Sequence, residues 1–157
     1  MSYEFQLVPG AVACSDACDK PAILSALAGL FAAAYGVPGD STLDALEERE
    51  RLGSTGFGRA VAIPHARIAN VRRPVAALLR LEQPVDFAAA DDLPVELVFG
   101  LLSPEQSGAA HLHALAAISR LTRDDAVAEQ LLAADDAEAL YAVLTNIDGA
   151  FARRDAA

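Results

Sequence analysis

The sequence predicts an α/β sandwich, with one mixed β-sheet flanked by helices. Three observations predict it. Short apolar segments bounded by turn residues cluster in the middle third of the chain. Apolar residues at helical spacing dominate both ends. No Pro/Gly/Ser-rich linker, internal repeat or low-complexity tract divides the 157 residues, a length that suits one domain. The expected unit is therefore a single domain over residues 1–157. Its core runs from about residue 12 to about residue 146, and the C-terminal tail is frayed.

"FQLVPGAVACSD" contains short apolar pieces fit for an edge strand. A helix follows. Asp19 can cap it, Pro21 fits its first turn, and Ile23, Leu27, Leu30, Phe31 and Ala34 mark one face. "GVPGD" ends it. Ser41 and Asp44 resemble a capping box for a second helix through Leu52, with Leu43 and Leu46 inward and Gly53 as its stop. "AVAI" (60–63), "PVAALLRL" (74–81) and "PVELVFGLL" (94–102) read as strands. "EQPVDFAAADDLP" between the last two reads as a loop. Three helices are expected at about 108–121, 124–133 and 136–145, with "GAFARRDAA" fraying beyond them.

Charge narrows the function. The net charge of −10 would repel a nucleic-acid backbone or an anionic membrane surface, so neither is an expected partner. No apolar run reaches the ~20 residues a membrane span needs, and "MSYEFQLVPG" has no signal-peptide pattern. The expected location is the cytoplasm. There Cys14 and Cys18 remain thiols, and "CSDAC" supplies too few ligands for a zinc site.

"GSTGFGRAVAIPHARI" (53–68) carries the chemistry. Gly53, Gly56 and Gly58 let main chain approach a ligand closely, and Ser54 and Thr55 add hydroxyls. Exposed amides in such a loop make an anion cradle. Pro64 restricts the backbone beside His65, and Arg49 could supply a fork matched to phosphate. His111 and His113 project about 200° apart on a helix. His111 shares a face with Leu115 and Ile118, while His113 shares the outer face with Ala117 and Arg120. These parts suit phosphoryl transfer through a neutral imidazole, with a second imidazole in support. A loop histidine at 65 and a hydrogen-bonded core histidine at 111 remain the plain alternatives. The glycine loop fits neither a P-loop, a dinucleotide-binding turn nor a nucleophile elbow.

The stretch "ERERLGSTGFGRAVAIPHARI" resembles the type-2 EIIA domains of the bacterial phosphoenolpyruvate-dependent phosphotransferase system, the fructose, mannitol and nitrogen-regulatory class. "QPVDFAAADDLPVELVFGLLSPEQSGAAHLHALAAISRLTRDD" and "AEALYAVL" extend the likeness over about residues 19–144. The motif sits closer to the fructose and nitrogen branch than to mannitol. The resemblance implies that His65 accepts the phosphoryl group, that His111 and Arg49 assist, and that Ser54, Thr55, Gly56, Gly58 and Pro64 shape the phosphate site. It also implies the sandwich fold, an HPr-like phosphodonor, an EIIB or regulatory target as the onward partner, and no metal or organic cofactor. Two other readings stay open. One is a docking protein switched by phosphorylation of histidine without onward transfer. The other is a metal-dependent hydrolase built on His65 and His111.

Overall fold

The computed structural model describes residues 4–155, with side chains through residue 146. Strands β5 (Val75–Val85) and β6 (Val95–Pro104) pair antiparallel at its centre. β1 (Val12–Ser15) adds to the outer side of β5 in parallel and is the expected edge strand. The far side of β6 receives β3 (Val61–Ala62) and then β4 (His65–Ile68), both parallel to it. The antiparallel β2 (Gly56–Gly58) pairs with β3 and completes the six-stranded mixed sheet.

Both faces are covered, which explains why the central strands read as unbroken apolar runs. Alternate residues serve opposite layers. On one face Ala77, Leu79 and Leu81 pack against α1 (Lys20–Tyr35) and α2 (Gly39–Arg51), through Ile23, Leu27, Phe31 and Leu46. On the other face Ala76, Leu78, Leu97 and Phe99 meet three more helices, α3 (Ala109–Arg123), α4 (Asp125–Ala133) and α5 (Ala137–Asp155). Ala114, Ile118, Leu131 and Leu140 supply that contact. Gly100 marks the closest approach of α1 to the sheet. A Cβ there would lie 2.7 Å from the Phe31 ring.

The first helix starts as its sequence predicts, with the Asp19 side chain accepting from the Ala22 amide at 2.8 Å. The others differ in detail. No capping box forms at Ser41 and Asp44. α2 begins at Gly39 behind Pro38, and the Ser41 hydroxyl bonds back to the Pro38 carbonyl. The segment expected to be a loop from Glu82 is strand through Val85. Pro84 is tolerated because β1 ends opposite Leu81, so no neighbour on that side asks Pro84 for an amide. α5 runs on to Asp155 instead of ending near Thr145 and fraying. No proline interrupts it, and one interior glycine costs a helix only about 1 kcal/mol. Ala156 and Ala157 of the expected frayed tail lie outside the described residues.

Candidate active site

β3 and β4 form one line along β6, interrupted at Ile63–Pro64. The register is unbroken across the gap, with Ala62 opposite Val98 and His65 opposite Leu101. Pro64 has no amide hydrogen to give, but its carbonyl still accepts from Leu101 N at 3.0 Å. β2 stops short of β4, so past Pro64 this line pairs with β6 alone among the described residues. His65, for which a plain loop position is one alternative, is the first residue of β4 at that edge.

Two hydrogen bonds fix its imidazole. Nδ1 lies 2.8 Å from the Ile63 carbonyl, which can only accept, so Nδ1 carries the proton. The lone pair is then on Nε2, and Arg49 Nε–H donates to it at 3.2 Å. Arg49 projects from the last turn of α2, and its Nη1 is held by the Gly53 carbonyl at 2.9 Å. Burial and the nearby Arg49 and Arg67 charges lower the His65 pKa, against the opposing effects of the Ile63 bond and Glu50. The ring is neutral at physiological pH and its reactive nitrogen is Nε2.

His111 lies on the buried face of α3 as the helical phase predicts, and His113 is exposed. The two rings of His65 and His111 are 5.5 Å apart, tilted by 49°. His111 Nδ1 is bonded to Ser103 Oγ of β6 at 2.7 Å. Burial, then the Arg67 charge, push its pKa down to about 4.

The glycine loop is braced from beneath. Glu50, next to Arg49, turns its 6% exposed carboxylate inward. It accepts from the Thr55 amide at 2.9 Å and from the Thr55 hydroxyl, and pairs with Lys20 at 2.9 Å. Lys20 also lies over the Phe87 ring, whose backbone carbonyl accepts from Ser54 Oγ at 2.7 Å. Ser54 Oγ in turn accepts from the Gly56 amide at 3.0 Å. The hydroxyls of Ser54 and Thr55, and the amides of Thr55 and Gly56, are thus spent inside the protein. The loop forms a wall beside His65, with the Thr55 and Gly56 amides of the expected cradle already engaged. Gly56 is needed for that packing, since a Cβ would come within 2.8 Å of Ala89 Cα. At Gly58 the backbone has φ of +103°, a conformation that favours glycine.

A cleft of about 450 Å³ opens between this wall and α3, with His65 and Arg49 in its lining. A second recess of about 360 Å³ shares those two residues and adds Arg67 and His111. Two exposed apolar side chains line these recesses, Phe57 at 38% in the first and Leu52 at 81% in the second, and Leu112, next to His111 in sequence, is 62% exposed. No three His, Cys, Asp or Glu side chains converge on a possible metal position among the described residues. A metal-dependent hydrolase built on His65 and His111 would call on such a group of ligands. No described helix is long and apolar enough to cross a membrane.

Of the sequence-predicted residues, the structure gathers His65, His111 and Arg49 at one point, with Ser54, Thr55, Gly56 and Pro64 around them. Glu50 as a brace, Lys20, Ser103 and Arg67 were not anticipated. The signal for Arg67 was present: once "HARI" is read as a strand, residues 65 and 67 share a face.

Residues 11–147 match the model of the phosphoenolpyruvate-dependent sugar phosphotransferase system EIIA 2 family. This chain belongs to that family. A nitrogen regulatory protein of Bradyrhizobium diazoefficiens is 43% identical over 125 residues, covering 80% of this chain and 82% of the relative. A fructose-specific EIIA component of Haloferax volcanii is 40% identical over 108 residues, or 69% and 70% of the two chains. In structure, the nitrogen regulatory protein IIA-Ntr of Neisseria meningitidis superposes with a TM-score of 0.80 at 32% identity, over 88% of this chain and 95% of that one. The expected sandwich and the expected family are both found. This EIIA chain is a component of the phosphotransferase type, with relatives named for both nitrogen regulation and fructose.

Proposed function

We propose that this EIIA chain is a cytoplasmic phosphoryl carrier whose acceptor atom is Nε2 of His65. One observation carries the reading. The Ile63 carbonyl holds the proton on Nδ1, which leaves the Nε2 lone pair at the junction of two recesses, against a guanidinium. An imidazole nitrogen at such a position can attack phosphorus without first losing a proton. The donor is a phosphohistidine protein of the HPr type. As the P–N bond to His65 forms, the donor's P–N bond breaks and its electron pair returns to the donor imidazole.

Arg49 leaves its 3.2 Å contact with Nε2 and moves onto the phosphoryl oxygens as they arrive. His111 Nε2, the ring nitrogen away from Ser103, donates to the same group when its Nδ1 accepts from the hydroxyl. Ser54, Thr55, Gly56, Gly58 and Pro64 hold the wall and the strand break, and so shape the site without contacting phosphate. The onward acceptor is an EIIB partner.

A second reading rests on Leu52, Phe57 and Leu112. Exposed apolar side chains beside a phosphorylatable histidine suit a protein target that docks on one phosphorylation state alone. The nitrogen-regulatory relatives favour that use. Phosphoryl transfer from phosphoenolpyruvate through purified donor proteins, with peptide mass mapping, tests the shared core of both readings. Wild type should be labelled on the peptide containing His65. Labelling of His65→Ala at the wild-type level would sink the acceptor assignment. An EIIB cysteine or histidine then separates the readings, since only a carrier passes the label on.

A further inference from the structure

We propose that Arg67 is a second phosphoryl-binding side chain, joining Arg49 on the group carried by His65. The inference rests on the carrier reading and extends it. Three observations support it.

The first is register. His65 and Arg67 are two residues apart on β4, so they project from the same face of the sheet. The neighbouring positions on β6 are Leu101 beside His65 and Ser103 beside Arg67. Ser103 is the residue that holds His111. Arg67 is thereby set at the corner between the two imidazoles. The second is shape. Arg67 lines the same recess as Arg49, His65 and His111. The third is charge. In a chain of net charge −10, Arg67 is exposed and has no ion pair or side-chain hydrogen bond among the described residues. The other arginine of the recess is already fixed, to His65 and the Gly53 carbonyl. The field of Arg67 also reaches both rings, holding both imidazole pKa values down.

An arriving phosphoryl group brings a charge of about −2. Arg49 alone leaves about half of it uncompensated. Arg67 supplies the balance, and its planar fork suits two phosphoryl oxygens at once. It does so after transfer as well as during it, and that makes the proposal separable from a docking role. A residue that only docks the donor changes the forward and reverse rates together. A residue that binds the phosphoryl group of the product changes the equilibrium.

The experiment is the equilibrium of phosphoryl exchange between this protein and a purified HPr-type donor, read as the fraction phosphorylated by intact mass. Arg67→Gln should shift the equilibrium constant toward the donor by about tenfold. Arg67→Lys should recover most of that shift, since it restores the charge without the fork. Thermal midpoints of both variants should match wild type, because Arg67 is exposed and unpaired. An equilibrium constant for Arg67→Gln within twofold of wild type, with slower rates, would assign Arg67 to docking and overturn the proposal. Failure of the carrier reading looks different: wild type itself would then carry no label at His65.

Discussion

His65 and His111 are 5.5 Å apart and both neutral at physiological pH, yet the protein treats them in opposite ways. His65 is half-buried at the border of the sheet. A backbone carbonyl holds its inner nitrogen, and its outer nitrogen faces the recesses. His111 is 5% exposed in the apolar layer beneath α3, tied to a side-chain hydroxyl. A carbonyl can only accept, so it dictates the His65 tautomer. A hydroxyl can accept or donate, so it leaves the His111 tautomer free to change. The first environment suits a nucleophile with one fixed lone pair. The second suits a helper that must present a donor when a charged oxygen arrives.

The largest expected effect comes from removing the fixed lone pair. His65→Ala should lose essentially all phosphoryl acceptance while its thermal midpoint stays close to wild type, since the ring contributes little to either core. His111→Ala should still be labelled at His65 but more slowly. Hydrogen bonds to charged groups are worth roughly 1.5–3 kcal/mol, or about 10- to 150-fold in rate if made only in the transition state. His113→Ala, on the exposed side of α3, should transfer at the wild-type rate. If His113→Ala were the slow variant and His111→Ala the normal one, the contrast between the two imidazoles would not describe catalysis. Arg49→Lys comes next. It keeps the charge but loses the fork that now joins Nε2 to the Gly53 carbonyl. A fall in transfer rate of roughly tenfold, about 1.4 kcal/mol, is expected with little loss of stability. A rate equal to wild type would place Arg49 outside the reaction.

Much of this contrast was legible in the sequence, for identifiable reasons. Helical phase alone separated His111 from His113, because a helix has one period and α3 has one buried face. The sandwich was legible because its central strands are apolar on both faces. What failed to read was whatever depends on a partner distant in sequence. "HARI" alternates too briefly to announce a strand, and it is a strand because β6 lies beside it. The hydroxyls of Ser54 and Thr55 read equally well as ligands or as braces. Their partners, the Phe87 carbonyl and the Glu50 carboxylate, are brought in by other elements and carry no local signal. Glu50 carries no local pattern of burial. Its carboxylate is inward because Lys20 and the Thr55 amide are there to meet it.

A further effect, read in stability and not in transfer rate, concerns the proton that His111 does not carry. Its pKa in the folded protein is about 4, against about 6.5 for an unperturbed histidine. The unfolded chain therefore binds a proton that the folded chain refuses. Where the unfolded state binds more protons, stability rises with pH. The His111 contribution is complete above about pH 6.5 and is lost as pH falls toward about 4. The full shift corresponds to about 3 kcal/mol, and on the order of 2 kcal/mol remains after allowing for water in the adjoining recess. His111→Gln cannot titrate, so urea midpoints at pH 7 and pH 4.5 should converge for that variant relative to wild type. His65, whose pKa is also lowered, adds to the same acid loss, so the slope should shrink without vanishing. Ser103→Ala sharpens the point. It removes the bond to Nδ1 but leaves the ring buried beside Arg67. If burial and the Arg67 charge set the low pKa, Ser103→Ala should keep the acid slope of wild type and slow phosphoryl acceptance only a few-fold. An acid slope that collapsed in Ser103→Ala would instead mean that the hydroxyl, and not the apolar layer, keeps His111 neutral.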